Sequence, residues 1–119
     1  MKKLALGIFV AAVFMLIAAN AWAAELTDLV GAWSWEGFTI EVSECGSSVC
    51  ATVADGPSHV GEDMFLSEPE ASGDGWNVDV MHPATGETYH SHFTIDGDTW
   101  TMNGCTDSGV CAEGDFIRQ

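Results

Sequence analysis

Tyr89-His90-Ser91-His92-Phe93-Thr94-Ile95-Asp96-Gly97-Asp98-Thr99-Trp100-Thr101-Met102 is the stretch whose reading decides the fold. Tyr89, Phe93 and Ile95 share one parity, and Trp100 and Met102 resume the alternation after Asp96-Gly97-Asp98. Period-two alternation marks a strand with one buried face. A glycine between polar residues marks a tight turn, because it tolerates the positive φ that such turns need. The stretch therefore reads as a β-hairpin.

The same pattern continues in both directions. Upstream, Trp76, Val78 and Val80 alternate with Asn77 and Asp79, and His82-Pro83-Ala84-Thr85-Gly86 makes a turn before Tyr89. Further back, Val49, Ala51 and Val53 form another strand. Trp33 and Trp35 share one parity, whereas Phe38, Ile40 and Val42 share the other; a bulge at Gly37 is expected to return all five to the core side. Glu25 to Val30 allows one helical turn at most, and Val110 to Arg118 closes the chain. Asp55 to Gly75, with its Gly-Pro, Glu-Pro and Gly-Asp-Gly steps, reads mostly as loop with Met64-Phe65-Leu66 as one short strand. The sum is an all-β domain of about seven or eight short hairpin-connected strands, a barrel or sandwich.

The N-terminus reads differently. Lys2 and Lys3 precede an uncharged apolar run from Leu4 to Ala19, and Ala21-Trp22-Ala23 supplies small residues at a cleavage position. That order is expected of a secretory signal peptide over residues 1–23, removed on export. Residues 24–119 are then the mature domain, and membrane contact is expected only through the signal segment. Both lysines leave with it, so 18 acidic residues face one base, Arg118, for a net charge of −17 with neutral histidines. Such a surface repels nucleic acid and attracts cations and basic proteins.

All four cysteines lie in the mature part. In an exported chain an even count reads as disulfides. Cys45 and Cys50 flank Gly46-Ser47-Ser48, and Cys105 and Cys111 flank Thr106-Asp107-Ser108-Gly109; these turn-forming spacings favour Cys45–Cys50 and Cys105–Cys111 among the three connectivities. Neither pair is a C-x-x-C, which weakens redox and structural-zinc readings.

Gly31-Ala32-Trp33 opens the first strand and Arg118 ends the last. This resembles the lipocalin and calycin pattern, in which a Gly-x-Trp tryptophan packs under an arginine from the closing strand. With Cys45-Gly46-Ser47-Ser48-Val49-Cys50, His82-Pro83-Ala84-Thr85-Gly86-Glu87-Thr88-Tyr89, Asn103-Gly104-Cys105, Val110-Cys111 and Phe116-Ile117-Arg118, the mature chain resembles more closely the bacterial exported family called domain of unknown function 2147. The resemblance implies a small antiparallel lipocalin-like β-barrel in the periplasm or outside the cell, with Gly31, Trp33 and Arg118 as its structural latch. It implies no reaction, since the family has no settled activity. The chain departs from the pattern at His82, where the family has Asp, at Phe116, where it has Trp, and before Trp76, where the family's Asn-Pro segment and basic residues are absent.

No catalytic set stands out: there is no Gly-x-Ser-x-Gly elbow, free cysteine, P-loop or His-Glu-x-x-His. The expectation is a binding protein rather than an enzyme, with no cofactor. His90 and His92 share the face opposite Tyr89 and Phe93, so an exterior pair is expected. Metal handling would require His82, His90 and His92 to converge. Trp35, Trp76, Tyr89, Phe93 and Trp100 are the candidates to line a barrel interior and bind a small apolar or amphipathic ligand. The alternative is an acidic protein–protein interaction module, or an inhibitor of a cationic envelope protein or lysozyme. An enclosed apolar void favours the first reading, and a filled barrel with an acidic rim favours the second.

Overall fold

The computed structural model describes residues 24–119, so the expected signal peptide over 1–23 lies outside the described residues. A 3-10 turn at Leu26–Leu29 precedes eight strands: β1 Gly31–Trp35, β2 Phe38–Cys45, β3 Ser48–Asp55, β4 Glu70–Ser72, β5 Gly75–Met81, β6 Thr88–Asp96, β7 Thr99–Cys105 and β8 Cys111–Arg118. They form one antiparallel sheet in the order β3-β2-β1-β8-β7-β6-β5-β4. The first and last strands pair in its middle, Trp33 opposite Arg118, as a curled, barrel-like sheet requires.

The change of parity between β1 and β2 has a different cause from the expected bulge. Glu36 (φ 48°) and Gly37 (φ 83°) are both left-handed, the signature of a two-residue type I′ turn. Trp35 therefore pairs directly with Phe38 and Trp33 with Ile40. Directly opposed residues share a face, so all four point inward with no bulge between them.

The segment from Asp55 to Gly75 contains β4 but otherwise works through its backbone. The Val53 amide donates to the Glu62 carbonyl (3.0 Å), and the Met64 amide donates to the Ala51 carbonyl (2.7 Å). On the other side, Leu66 N–H donates to the Asp79 carbonyl and Met81 N–H to the Met64 carbonyl, both at 2.8 Å. Residues 61–66 thus stitch β3, one edge of the sheet, to the Val78–Met81 half of β5 that the short β4 leaves uncovered. Met64, wholly buried, seals this seam.

Aromatic rings fill the interior. Trp100 meets Trp33, Phe65 and Phe93 edge-on at centroid distances of 5.7, 5.8 and 5.9 Å and lies 4.5 Å from Phe116. Its Nε1–H is buried without a hydrogen-bonding partner among the described residues. Trp33, Trp100 and Phe93 have no exposed surface.

Both expected disulfides are present. Cys45–Cys50 links diagonal neighbours across β2 and β3, whereas Cys105 and Cys111 oppose each other across β7 and β8. Two disulfides point to an oxidising, extracytoplasmic compartment. Their sequence separations are only 5 and 6. Chain entropy then gives each bridge about 2 kcal/mol. Replacing either pair by serine is expected to lower the urea midpoint correspondingly, and adding reductant should have no further effect on the doubly replaced protein.

Candidate functional site at the open end of the barrel

The antiparallel order sorts the connections into two ends. One end carries the 3-10 turn, the Cys45–Ser48 hairpin, the Asp96–Thr99 turn and the chain terminus at Arg118. The other carries the Glu36-Gly37 turn, the Asp55 end of β3, the His82–Glu87 turn and the disulfide-closed loop between Cys105 and Cys111.

The first end is latched. Arg118 Cζ stands 4.3 Å from the Trp33 ring centre. Its guanidinium donates to the carbonyls of Val30 (3.1 Å), Asp28 (2.6 Å) and Gly97 (3.3 Å), and Nε pairs with Asp98 at 3.2 Å. Trp33 Nε1–H donates to the Leu29 carbonyl (2.8 Å). The cation thus satisfies carbonyls at the end of the 3-10 turn and in the β6–β7 turn while capping an indole. A Cβ on Gly31, at φ 138°, would approach Arg118 Nη1 to 3.1 Å, so the glycine leaves room for the cap.

The second end holds a pocket of about 50 Å³, partly open to solvent. Trp35, His82, Tyr89, Met64, Met102 and Phe116 form most of its wall, and Ser91, the one buried polar side chain among the described residues, joins them. Its volume corresponds to about four water-sized groups. That is well below the ~300 Å³ at which drug-sized ligand pockets begin.

No family model, curated protein or solved structure matches this chain.

Its own geometry has to carry the functional reading, and that geometry divides the five aromatic candidates. Trp35 and Tyr89 line the pocket. Phe93 and Trp100 belong to the packed core, and Trp76 stacks on Phe93 at 5.5 Å, outside the pocket. Phe93, Trp100 and Trp76 thus pack ring against ring, while Trp35 and Tyr89 stand at the pocket. Met64, Met102 and Phe116 complete the wall beyond the five aromatic candidates. The readable signal for them was on β8, where Ala112 and Gly114 share the inward parity of Phe116 and leave space beside it. A Cβ on Gly114 would come within 2.6 Å of Trp35 Nε1, so the Trp35 ring occupies the place of a missing side chain.

The histidines separate as well. His82 is at the pocket, its ring 5.3 Å from Trp35 and 5.4 Å from Tyr89. His90 and His92 lie on the exterior face. Among the described residues no group of three or more His, Cys, Asp or Glu could hold a metal ion. Burial pushes the His82 pKa down, against the opposing charge of Glu87. Its Nδ1 accepts from Ala84 N–H (3.1 Å), which leaves the proton of the neutral ring on Nε2. Acidification from the unfolded histidine value of 6.5 towards this lower one therefore weakens the fold at His82.

His90 has the opposite sign. Nδ1 lies 2.8 Å from Asp79 on β5, and Nε2 lies 2.8 Å from Asp107 in the β7–β8 loop. A neutral imidazole carries one N–H, so two carboxylate acceptors suit the imidazolium. Hydrogen bonds from Asp79 and then Asp107 raise its pKa above 6.5. The clamp is fully present below 6.5 and is lost as the pH rises through the raised value. An NMR titration of the His90 ring is expected to give a midpoint above 6.5, and Asp107→Asn should lower it. A midpoint at or below 6.5 in the unmodified protein would refute the clamp.

Proposed function

We propose that this chain is an exported, non-catalytic binding protein of the bacterial periplasm or surrounding medium, with a lipocalin-like barrel that takes a small apolar or amphipathic group at its open end. The observation that carries this reading is the aromatic and thioether-walled pocket at one mouth while Trp33 and Arg118 close the other. The pocket size sets the ligand class. A bilayer lipid is far too large, whereas a short alkyl or aryl terminus fits. The N-terminal sequence and both disulfides support export, and the Gly31-Ala32-Trp33 and Arg118 resemblance supports the lipocalin-like family assignment.

Native mass spectrometry of the purified mature protein, with tryptophan fluorescence across a panel of short alkyl and aryl compounds, tests the proposal. The expected result is a fluorescence change with compounds of the right size, suppressed by Ala112→Leu, which fills the mouth from an exposed position. No bound species and no shift across the panel would remove it.

A second reading has its own support. The interior is filled, and the open end bears Glu36, Asp55, Glu87, Asp107 and Glu113 with no Lys or Arg among its described residues. That is the character of an acidic module docking a basic envelope protein or lysozyme, with charge steering the encounter. Salt-sensitive co-purification with such a protein favours this reading, and unchanged lysozyme activity in its presence removes the inhibitor version.

A further inference from the structure

We infer that the group taken at the open end is a small amphipathic amine, seated with its apolar tail inside the pocket and its ammonium at the carboxylate rim. This rests on the small-ligand reading of the same pocket and adds the charge of the guest and the direction in which it enters.

Three observations fix the charge. No Lys or Arg lies at this end: Arg118, the only one among the described residues, is held at the opposite end by three carbonyls and Asp98. The one titratable base in the wall is His82, and burial favours its neutral form. The carboxylates stand at the same end: the Glu87 charge acts on the His82 ring in the wall, Glu36 sits in the turn after Trp35, and Glu113 lies at the outer margin of the pocket, on β8 between the inward-parity Ala112 and Gly114. An anionic head is repelled at such a mouth, and a cationic head is attracted.

The direction follows from the depth of each group. Met64 and Phe116, both almost wholly buried, with Met102 and Val80, give the pocket an apolar floor whose one polar group is the Ser91 hydroxyl. An ammonium driven onto that floor would lose its water and gain no carboxylate, which is costly. Reversed, the tail fills apolar space and the head stays hydrated among carboxylates, as long amphipathic side chains arrange themselves on protein surfaces. A lysine side chain of a protein partner enters charge first, so the geometry disfavours it. A free amine enters tail first.

Three compounds with one tail and different heads make the test: n-butylammonium, n-butanol and n-butyrate, titrated against the mature protein with the Trp35 indole N–H followed by NMR. The expected order is amine, alcohol, acid, with the amine favoured over the alcohol by roughly tenfold at low salt and the advantage shrinking as salt screens the exposed rim. The triple variant Glu36→Gln/Glu87→Gln/Glu113→Gln should bring the amine close to the alcohol without changing alcohol binding, which also shows that the variant is folded. Equal binding of all three heads would overturn the cation inference and leave the apolar-pocket reading standing. Binding of none of them, with no indole shift, would overturn both. A tetralysine peptide that binds more tightly than the amine and is blocked by Ala112→Leu would overturn tail-first entry.

Discussion

Trp33→Ala is expected to cost about 3–5 kcal/mol, the range for removing a fully buried large aromatic. Natural domains of this size stand only about 5–15 kcal/mol above unfolding, so the variant should be close to the limit of folding at moderate temperature. The side chain is wholly buried, meets Trp100 edge-on, and holds the Leu29 carbonyl through Nε1. Its removal also strips the Arg118 guanidinium of the surface it covers. Arg118→Ala should cost less, about 2 kcal/mol, because water can reach part of the site and replace some donors. Arg118→Lys should recover little of this, since a point ammonium cannot serve Val30, Asp28 and Gly97 from one planar fork. Urea unfolding followed by circular dichroism for the two single alanine variants and the double gives the coupling. A shortfall from additivity of more than about 0.5 kcal/mol is expected for groups in contact. Strict additivity would mean that indole and guanidinium do not act as one latch.

Sequence alternation predicted β5, β6 and β7 because each buries one face only, and the burial of Val78, Val80, Phe93, Ile95, Trp100 and Met102 follows the parity read for them. The inward face of β1 and β2 was legible, but the cause of the parity change was not. Glu36 is an uncommon residue for a left-handed φ, so the two-residue turn carried a weak signal and a bulge at Gly37 read equally well. Asp55 to Gly75 was illegible for a stronger reason. Its hydrogen bonds run first to β3 and then, from Met64 on, to β5, so no single face is repeated and no period appears. The pocket was half legible. Trp35 and Tyr89 announce themselves as aromatics on inward parities, yet the seat of the Trp35 ring depends on the missing side chain of Gly114 and the mouth beside it on the small Ala112, and absent side chains leave little trace in a hydrophobic pattern. The extent of filling was invisible, since ring-to-ring packing of Phe65, Phe93, Trp100 and Phe116 depends on curvature that alternation does not encode.

Met64→Ala should be the most damaging change in that irregular segment, at about 2–5 kcal/mol for a buried methionine. Met64 is wholly buried between β3 and β5, its amide bound to the Ala51 carbonyl and its own carbonyl bound by Met81 N–H. The backbone bonds survive truncation in principle, but the seam loses the side chain that excludes water from them. Amide exchange at Leu66 and Met81, whose donors cross to Asp79 and Met64, should therefore accelerate more than exchange in β7. Leu66→Ala, two residues on and half exposed, is the control, expected to stay within about 0.5 kcal/mol. Because Met64 also lines the pocket, the alanine variant should accept an amine with a longer tail than the parent does. Equal costs for Met64→Ala and Leu66→Ala would show that residues 61–66 lie against the barrel without closing it, and the pocket floor would then need another explanation.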